Sequence, residues 1–291
     1  MKLSECPFEK TDILRDGTFL SAGTLFSTGP QQVVCLVREG DVAKIERNPA
    51  ISCVITTPGL VPKIPERIGT IAVGDPRSAF YTILAFVSNN PEFSLPGFGN
   101  RISPSARIHP TAVIAATSVA IGRDVVIEKN VVIHEQTIID EGSVVRSNSV
   151  IGLGQRHPDR TLQPLPVNAG GVHLHRETDI HANTCIHRAA FRGYTEIGEQ
   201  TKIDNLDVVG QGTRIGNRCL ICAGVTIGES VSIGDDGWIG PNVSVEDQLS
   251  IGKNTYLTIG STVTRDIGDD QVAKDNYTID RKRFRKVIRG M

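Results

Sequence analysis

From Ile197 to Val263 one large aliphatic residue returns at every sixth position: Ile197, Ile203, Val209, Ile215, Ile221, Ile227, Ile233, Ile239, Val245, Ile251, Leu257 and Val263. Four residues after each stands a mostly small or compact one, among them Thr201, Asp207, Thr213, Cys219, Val225 and Ser261. Six is even, so an extended chain brings its side chain back to the same face at each return. An α-helix would spread the row around its circumference. The period therefore predicts short strands joined by turns and coiled with one face always inward, a solenoid.

An eighteen-residue period lies on top of the six. Gly198, Gly216, Gly234 and Gly252 follow the aliphatic residue on every third side. The other two sides carry Asp204, Cys222, Gly240, Thr258 and Gly210, Gly228, Glu246, Thr264. Three sides per coil are thus expected, with one corner chemically distinct. Two readings of the glycines are open: a turn that needs positive φ, or a bare strip where a ligand approaches the backbone.

The same row begins at Ile102, Ile108 and Ile114, slips by one residue, and resumes from Ile121 to Ile151. The stretch Gly152 to Gly171 has no period and many turn formers, and the coil returns with Leu174, Ile180 and Ile186. A second, shorter insertion separates Ile186 from Ile197. Before about residue 98 the period is absent. Apolar runs at Val33–Val37, Cys53–Ile55 and Thr70–Val73 read as buried strands. Asp75-Pro76 opens a helix with Phe80, Ile83, Leu84 and Val87 on one face. The predicted organisation is a small α/β domain over 1–98, a β-helix over 99–267 with an insertion at 152–171, and a basic helical tail over 268–291. The tail, DRKRFRKVIR from Asp280, reads as a solvated face or as a dock for an acidic carrier protein or phosphates.

Composition narrows the partners. A formal net charge of −1 gives no pull toward nucleic acid. The N-terminus lacks the basic start and apolar run of a signal peptide, and no apolar stretch approaches the ~18 residues of a membrane span. Six cysteines at irregular spacings read as free thiols, which with these absences points to the cytoplasm.

The hexapeptide row resembles that of the hexapeptide-repeat acyltransferases, and the resemblance implies a left-handed parallel β-helix. The segments TDIHANTCIHRAAFRGYTEIG (Thr178–Gly198) and TKIDNLDVVGQGTRIG (Thr201–Gly216) are similar to the UDP-3-O-acylglucosamine N-acyltransferase of lipid A synthesis. That family implies a nucleotide-contacting N-terminal domain, a homotrimer with sites between adjacent subunits, and no permanently bound cofactor. Asp204 and Asn205 keep its IDN motif, but Gln211 stands at its catalytic histidine and Gln248 at a second one. A glutamine cannot take a proton at neutral pH.

The coil spacing offers a replacement. If the residues after Ile186 loop out at a corner, Ile186 lies one coil before Val209, and His187 stacks beside Gly210 about 5 Å away, near Gln211. His187 and Asp204 are therefore the candidate bases. Asn205, Gln211 and Arg188 are candidate acceptor contacts at the same place, and Arg156, His157 and Arg160 in the long insertion are candidates for a nucleotide phosphate. Leu220, Trp238 and Tyr256, eighteen apart, predict an outward apolar stripe, either a trimer interface or the wall of an acyl-donor groove that also takes in Gln248. Cys219 and Cys222 face opposite ways and are not read as a metal pair, and the carbonic-anhydrase pattern of three convergent histidines is not visible, so no metal is expected.

The expected reaction moves an acyl group from a thioester, coenzyme A rather than a carrier protein, to the amino group of a nucleotide-linked sugar for cell-surface glycan or lipopolysaccharide synthesis. Two alternatives stand beside it: the lipid A N-acyltransferase itself, using acyl carrier protein, and a non-catalytic hexapeptide scaffold.

Overall fold

A computed structural model describes residues 1–27, 29–87, 90–154, 169–274 and 277–283, without the side chains of residues 277–279. The chain divides into two compact units. One takes in Met1–Pro96, the described end of the long insertion at 169–170, and Ala190–Gly193; the other takes in Gly97–Gly154, Gly171–Ala189 and Tyr194–Met291.

The first unit is a five-stranded sheet in the order β1-β5-β4-β3-β2. Its strands are β1 (Ile13–Arg15), β2 (Ser21–Gly23), β3 (Gln32–Cys35), β4 (Ile51–Thr56) and β5 (Gly69–Ala72). Only β1 pairs antiparallel. The apolar runs predict β3, β4 and β5; β1 and β2 are too short and polar to show as runs. Helix α1 (Val42–Arg47) is likewise unheralded, while α2 (Pro76–Val87) starts where Asp75-Pro76 places it. Asp75 Oδ1 accepts from the backbone N–H of Arg77 at 3.1 Å and of Ser78 at 3.2 Å, the capping arrangement a free helix start needs. Ile83, Leu84 and Val87 bury beside Val33, Cys53, Ile55 and Ile71 of the sheet.

The second unit is a three-sided coil of parallel strands, mostly two residues long, stacked as sheets of eight, ten and eight strands among the described residues. In chain order the first side holds Tyr194–Ile197 and its equivalents, the second Lys202–Ile203, the third Val208–Val209. Residues eighteen apart pair directly: Leu220 with Trp238, and Trp238 with Tyr256. Every aliphatic residue of the row from Ile197 to Val263 is buried, as are the compact residues between them. Each such burial contributes roughly 1.5–3 kcal/mol, so the coil is held by its inner ladder and by inter-coil backbone hydrogen bonds such as Gly198 N–H to Ile215 O at 2.8 Å.

The corner glycines have a cause different from the turn reading. Gly198, Gly216, Gly234 and Gly252 do not have positive φ; that conformation lies two residues further on, at Gln200, Arg218, Asp236 and Asn254. What excludes a side chain is the next coil. A Cβ on Gly198 would lie 2.5 Å from the carbonyl carbon of Gly216, and one on Gly216 would lie 2.6 Å from the backbone N of Asp235.

Both insertions leave the coil at one corner, between third and first sides. The longer follows Val150–Leu153 and ends at Gly171–Leu174; the shorter follows Cys185–His187 and ends at Tyr194–Ile197. The tail departs from the helical expectation. Gln271–Lys274 adds a parallel strand beside Tyr256–Leu257, and Tyr277–Asp280 turns back on it antiparallel. Helix begins only at residues 281–283. Val272 and Ala273, buried at 1% and 2%, cap the end of the second sheet, which is why this stretch extends the sheet.

Gly216→Ala should destabilise the chain by about 1–3 kcal/mol, the usual cost of overpacking. Its Cβ would meet backbone that cannot swing aside, so thermal unfolding should occur at lower temperature. Asn242→Gly, at a left-handed turn position with φ 55°, should leave the melting temperature nearly unchanged.

Candidate active site

The three corners of the coil carry different chemistry because the residue after each buried aliphatic points outward there. On the corner between second and third sides the column reads Glu128, Arg146, His181, Asp204 and Cys222 in successive coils, each following a buried Ile or Val. Glu128, Arg146 and His181 donate their backbone N–H groups to Val145, Ile180 and Ile203, which fixes the stacking. The outcome is an ionic ladder. Arg146 grips Asp179 through Nε to Oδ1 at 3.0 Å and a terminal nitrogen to Oδ2 at 2.9 Å. His181 lies between two carboxylates, with Nδ1 3.2 Å from Asp204 Oδ1 and Nε2 3.4 Å from Asp179 Oδ2.

Asn205 is committed to this arrangement. Its Nδ2 donates to Asp204 Oδ1 at 2.6 Å, its backbone N–H donates to the same oxygen at 2.8 Å, and its Oδ1 accepts from Ala182 N–H at 3.1 Å. The IDN motif thus fixes the Asp204 carboxylate beside His181, a residue that sequence reasoning did not single out. The signal for it was available: His181 and Asp204 both follow the aliphatic of the second side, one coil apart.

His187 lies elsewhere. Ile186 pairs with Val209, so His187 falls beside Gly210 at the corner between third and first sides. Asp204 and Gly210 are six residues apart, one full side of the triangle, so Asp204 does not join His187, contrary to the expected convergence. His187 is only 7% exposed, its Nδ1 is buried without a hydrogen-bond partner, and its Nε2 lies 3.8 Å from Cys185 Sγ. Burial holds its pKa below the ordinary histidine value, with Glu229 opposing. Gln211 is buried at 5%, so its side chain is shielded from solvent. Arg188, half-buried at the start of the short insertion, donates its backbone N–H to Leu153 O, and its guanidinium is lowered by burial against the pull of Glu135. Arg156, His157 and Arg160 lie outside the described residues.

Trp238 and Tyr256 stack face to face on the second side, with ring centroids 4.1 Å apart and planes 8° off parallel, and Leu220 stands exposed beside them. Gln248 is exposed at a left-handed turn with φ 61°, on the corner between third and first sides. The corner between first and second sides brings together a third set that the sequence did not reveal: Asp140, His173 and His175, each with a ligand-type atom within 4.8 Å of the others. Asp140 is 33 residues from His173 in the chain, across the long insertion, so no local spacing announces the group. Cys219 and Cys222 do face apart, with Cys219 buried and its Sγ turned to Gly234 O at 3.2 Å.

Residues 118–153 match the family model for the bacterial transferase hexapeptide, described as six repeats. These residues are hexapeptide repeats of the bacterial transferase type. Together with the three-sided parallel coil that the six-residue period predicts, the match makes the second unit the left-handed parallel β-helix that the family resemblance implies. Among solved structures, a UDP-N-acetylglucosamine acyltransferase from Campylobacter jejuni is 18% identical over 63% of this chain and 82% of its own, with a TM-score of 0.49. The UDP-N-acetylglucosamine acyltransferase of Arabidopsis is 17% identical over 64% of this chain and 76% of its own, with a TM-score of 0.45. The polySia specific acetyltransferase NeuO is 16% identical over 63% and 85%, with a TM-score of 0.31. A search of curated protein sequences returned no match. Among the described residues no helix is long and apolar enough to cross a membrane.

Beneath the hexapeptide corner, Asp207 points into the coil. It is 1% exposed; Oδ1 accepts from Val225 N–H at 2.6 Å, and Oδ2 has no partner. Burial pushes its pKa up to about 8, with the Val225 hydrogen bond opposing and nearby Asp204 adding to the rise. A folded-state pKa above the unfolded value means the folded chain holds the proton more tightly. Stability is then greatest below the ordinary carboxylate value of 3.8 and is lost as pH rises through about 8. Chemical denaturation should show wild type losing stability between pH 5 and pH 9. Asp207→Asn, neutral throughout, should lose less over that range; parallel curves would show that Asp207 does not carry the dependence.

Proposed function

We propose that the chain is an N-acyltransferase that moves an acyl group from a thioester to the amino group of a nucleotide-linked sugar. The observation that carries this reading is the His181–Asp204 pair, braced by Asn205, on a coil whose repeats match the bacterial transferase type. A base oriented by a second, fixed group is the arrangement that activates a weak nucleophile. Asp204 holds Nδ1 of His181, and Nε2, 3.4 Å from an Asp179 carboxylate that Arg146 already grips through both oxygens, is the proton-accepting atom.

The step balances without a further reactant. The acceptor amine attacks the thioester carbonyl, the C–N bond forms as the C–S bond breaks, and the ammonium proton passes to His181 Nε2 and then to the departing thiolate. The products are an amide and a free thiol. Acyl-coenzyme A is the donor favoured here, since the Trp238–Tyr256 stack offers a flat apolar surface on the same side of the coil as His181. The α/β unit is assigned to the nucleotide.

Steady-state kinetics with acetyl coenzyme A and a UDP- or dTDP-linked amino sugar test this. His181→Asn should lower turnover by about 10²–10⁴-fold, the range for loss of a general base, and Asp204→Asn should lower it less. The unpartnered Nδ1 of His187 favours a second base. If His187→Asn shows the larger loss, with an acid limb below the ordinary histidine value, the role passes to that residue. No turnover and no binding of either substrate would favour the scaffold reading.

The exposed Leu220 beside Trp238 and Tyr256 supports a homotrimer closed over the second side. Sedimentation should give a trimer for wild type and smaller species for Leu220→Asp. A monomeric wild type would remove the interface.

A further inference from the structure

The corner between first and second sides is a column of small residues with two exceptions. It runs Ser103, Gly122, then Asp140, His175, then Gly198, Gly216, Gly234 and Gly252. At Gly198 and Gly216 a Cβ would strike the next coil's backbone, yet two consecutive coils here carry side chains, and both are of metal-ligating type. His173 lies in the strand Gly171–Leu174 and His175 follows its last residue at the corner, and the two imidazoles sit side by side. Strand Thr137–Ile139 pairs with Gly171–Leu174, and Asp140 N–H donates to Leu174 O at 2.9 Å, which stacks Asp140 under His175.

We infer that Asp140, His173 and His175 form a binding site for one divalent transition cation of the zinc type. His173 Nε2 lies 2.9 Å from Asp140 Oδ2, His175 Nδ1 lies 3.8 Å from the same carboxylate oxygen, and the two rings sit 3.9 Å apart, tilted by 33°. Bonds of about 2.0–2.2 Å to a tetrahedral cation place ligand atoms roughly 3.4 Å apart, and the observed spacings bracket that value. Two imidazoles and one carboxylate are the donor set that prefers such a metal to calcium or magnesium. The three side chains are only about a quarter to a third exposed: 24% for His173, 31% for His175 and 35% for Asp140. Glu196, paired with His173 in the next coil and 4.0 Å from His175 Nε2, stands at the fourth position as ligand or as partner of a bound water. The cation joins the corner after Thr137–Ile139, in the coil before the long insertion, to the first strand after it, Gly171–Leu174, so it anchors the coil where the chain re-enters.

The test is titration of the full, chelator-treated chain with Zn(II) and Co(II), read by calorimetry and by Co(II) visible absorption. One Co(II) per chain should bind with the intense bands of four- or five-fold coordination, and Zn(II) should displace it and raise the melting temperature. His173→Ala and His175→Ala should each weaken binding by more than the roughly 10–100-fold that outer-shell changes cost. Asp140→Asn, nearly isosteric, should lose the bands while keeping its fold by circular dichroism. His181→Ala, at the other histidine–carboxylate pair, should bind as wild type does. If Asp140→Asn binds like wild type, or His181→Ala loses as much as His173→Ala, the site is not here. Binding is read without turnover, so failure of the acyl-transfer reading leaves this result standing.

Discussion

The structure depends on one constraint: a side of six residues must stack on the next at the spacing of adjacent β-strands, about 4.8 Å, while its aliphatic residue closes the interior. Ile203, Ile221 and Ile239 meet this inside the coil, each pairing in register with the next. At Gly198, Gly216, Gly234 and Gly252, on the corner after the first side, the same constraint leaves no room for a Cβ, and glycine is the outcome. The burial that holds the solenoid and the crowding that bares one corner are two consequences of a single stacking distance.

That geometry also decides where chemistry can assemble. A residue on the outside of one coil has its nearest partners eighteen or so positions away rather than three or four. His181 therefore meets Asp204, and Trp238 meets Tyr256, by vertical stacking. Within one coil, by contrast, residues six apart sit on different sides. Asp204 and the position of Gly210 belong to different corners for this reason, and His187 cannot share the carboxylate that the IDN motif supplies.

The insertions complicate the count without breaking it. Both leave at the corner between third and first sides, so the coil resumes in register and pairs across the gap as though continuous. Asp140 and His173, 33 residues apart, become hydrogen-bonded neighbours at 2.9 Å. The far end is closed by the strand Gln271–Lys274, whose Val272 and Ala273 cover sheet that a solvated helix would have left open.

Sequence alone determined the period, the three sides and the inward rows, because six-residue repetition and burial of Ile and Val are local and cumulative. It also placed α2, through its Asp-Pro start, and the stacking of Ile186 on Val209. Tertiary structure alone decided which outward residues meet, since that depends on how many residues loop out between coils and on rotamers the period does not constrain. It decided that Asn205 spends its amide on Asp204, that His187 is buried against Cys185, and that Asp207 faces inward with one oxygen unsatisfied. It also decided why the corner residues are glycine: the obstacle is backbone eighteen residues further along, a distance at which composition carries no trace of contact.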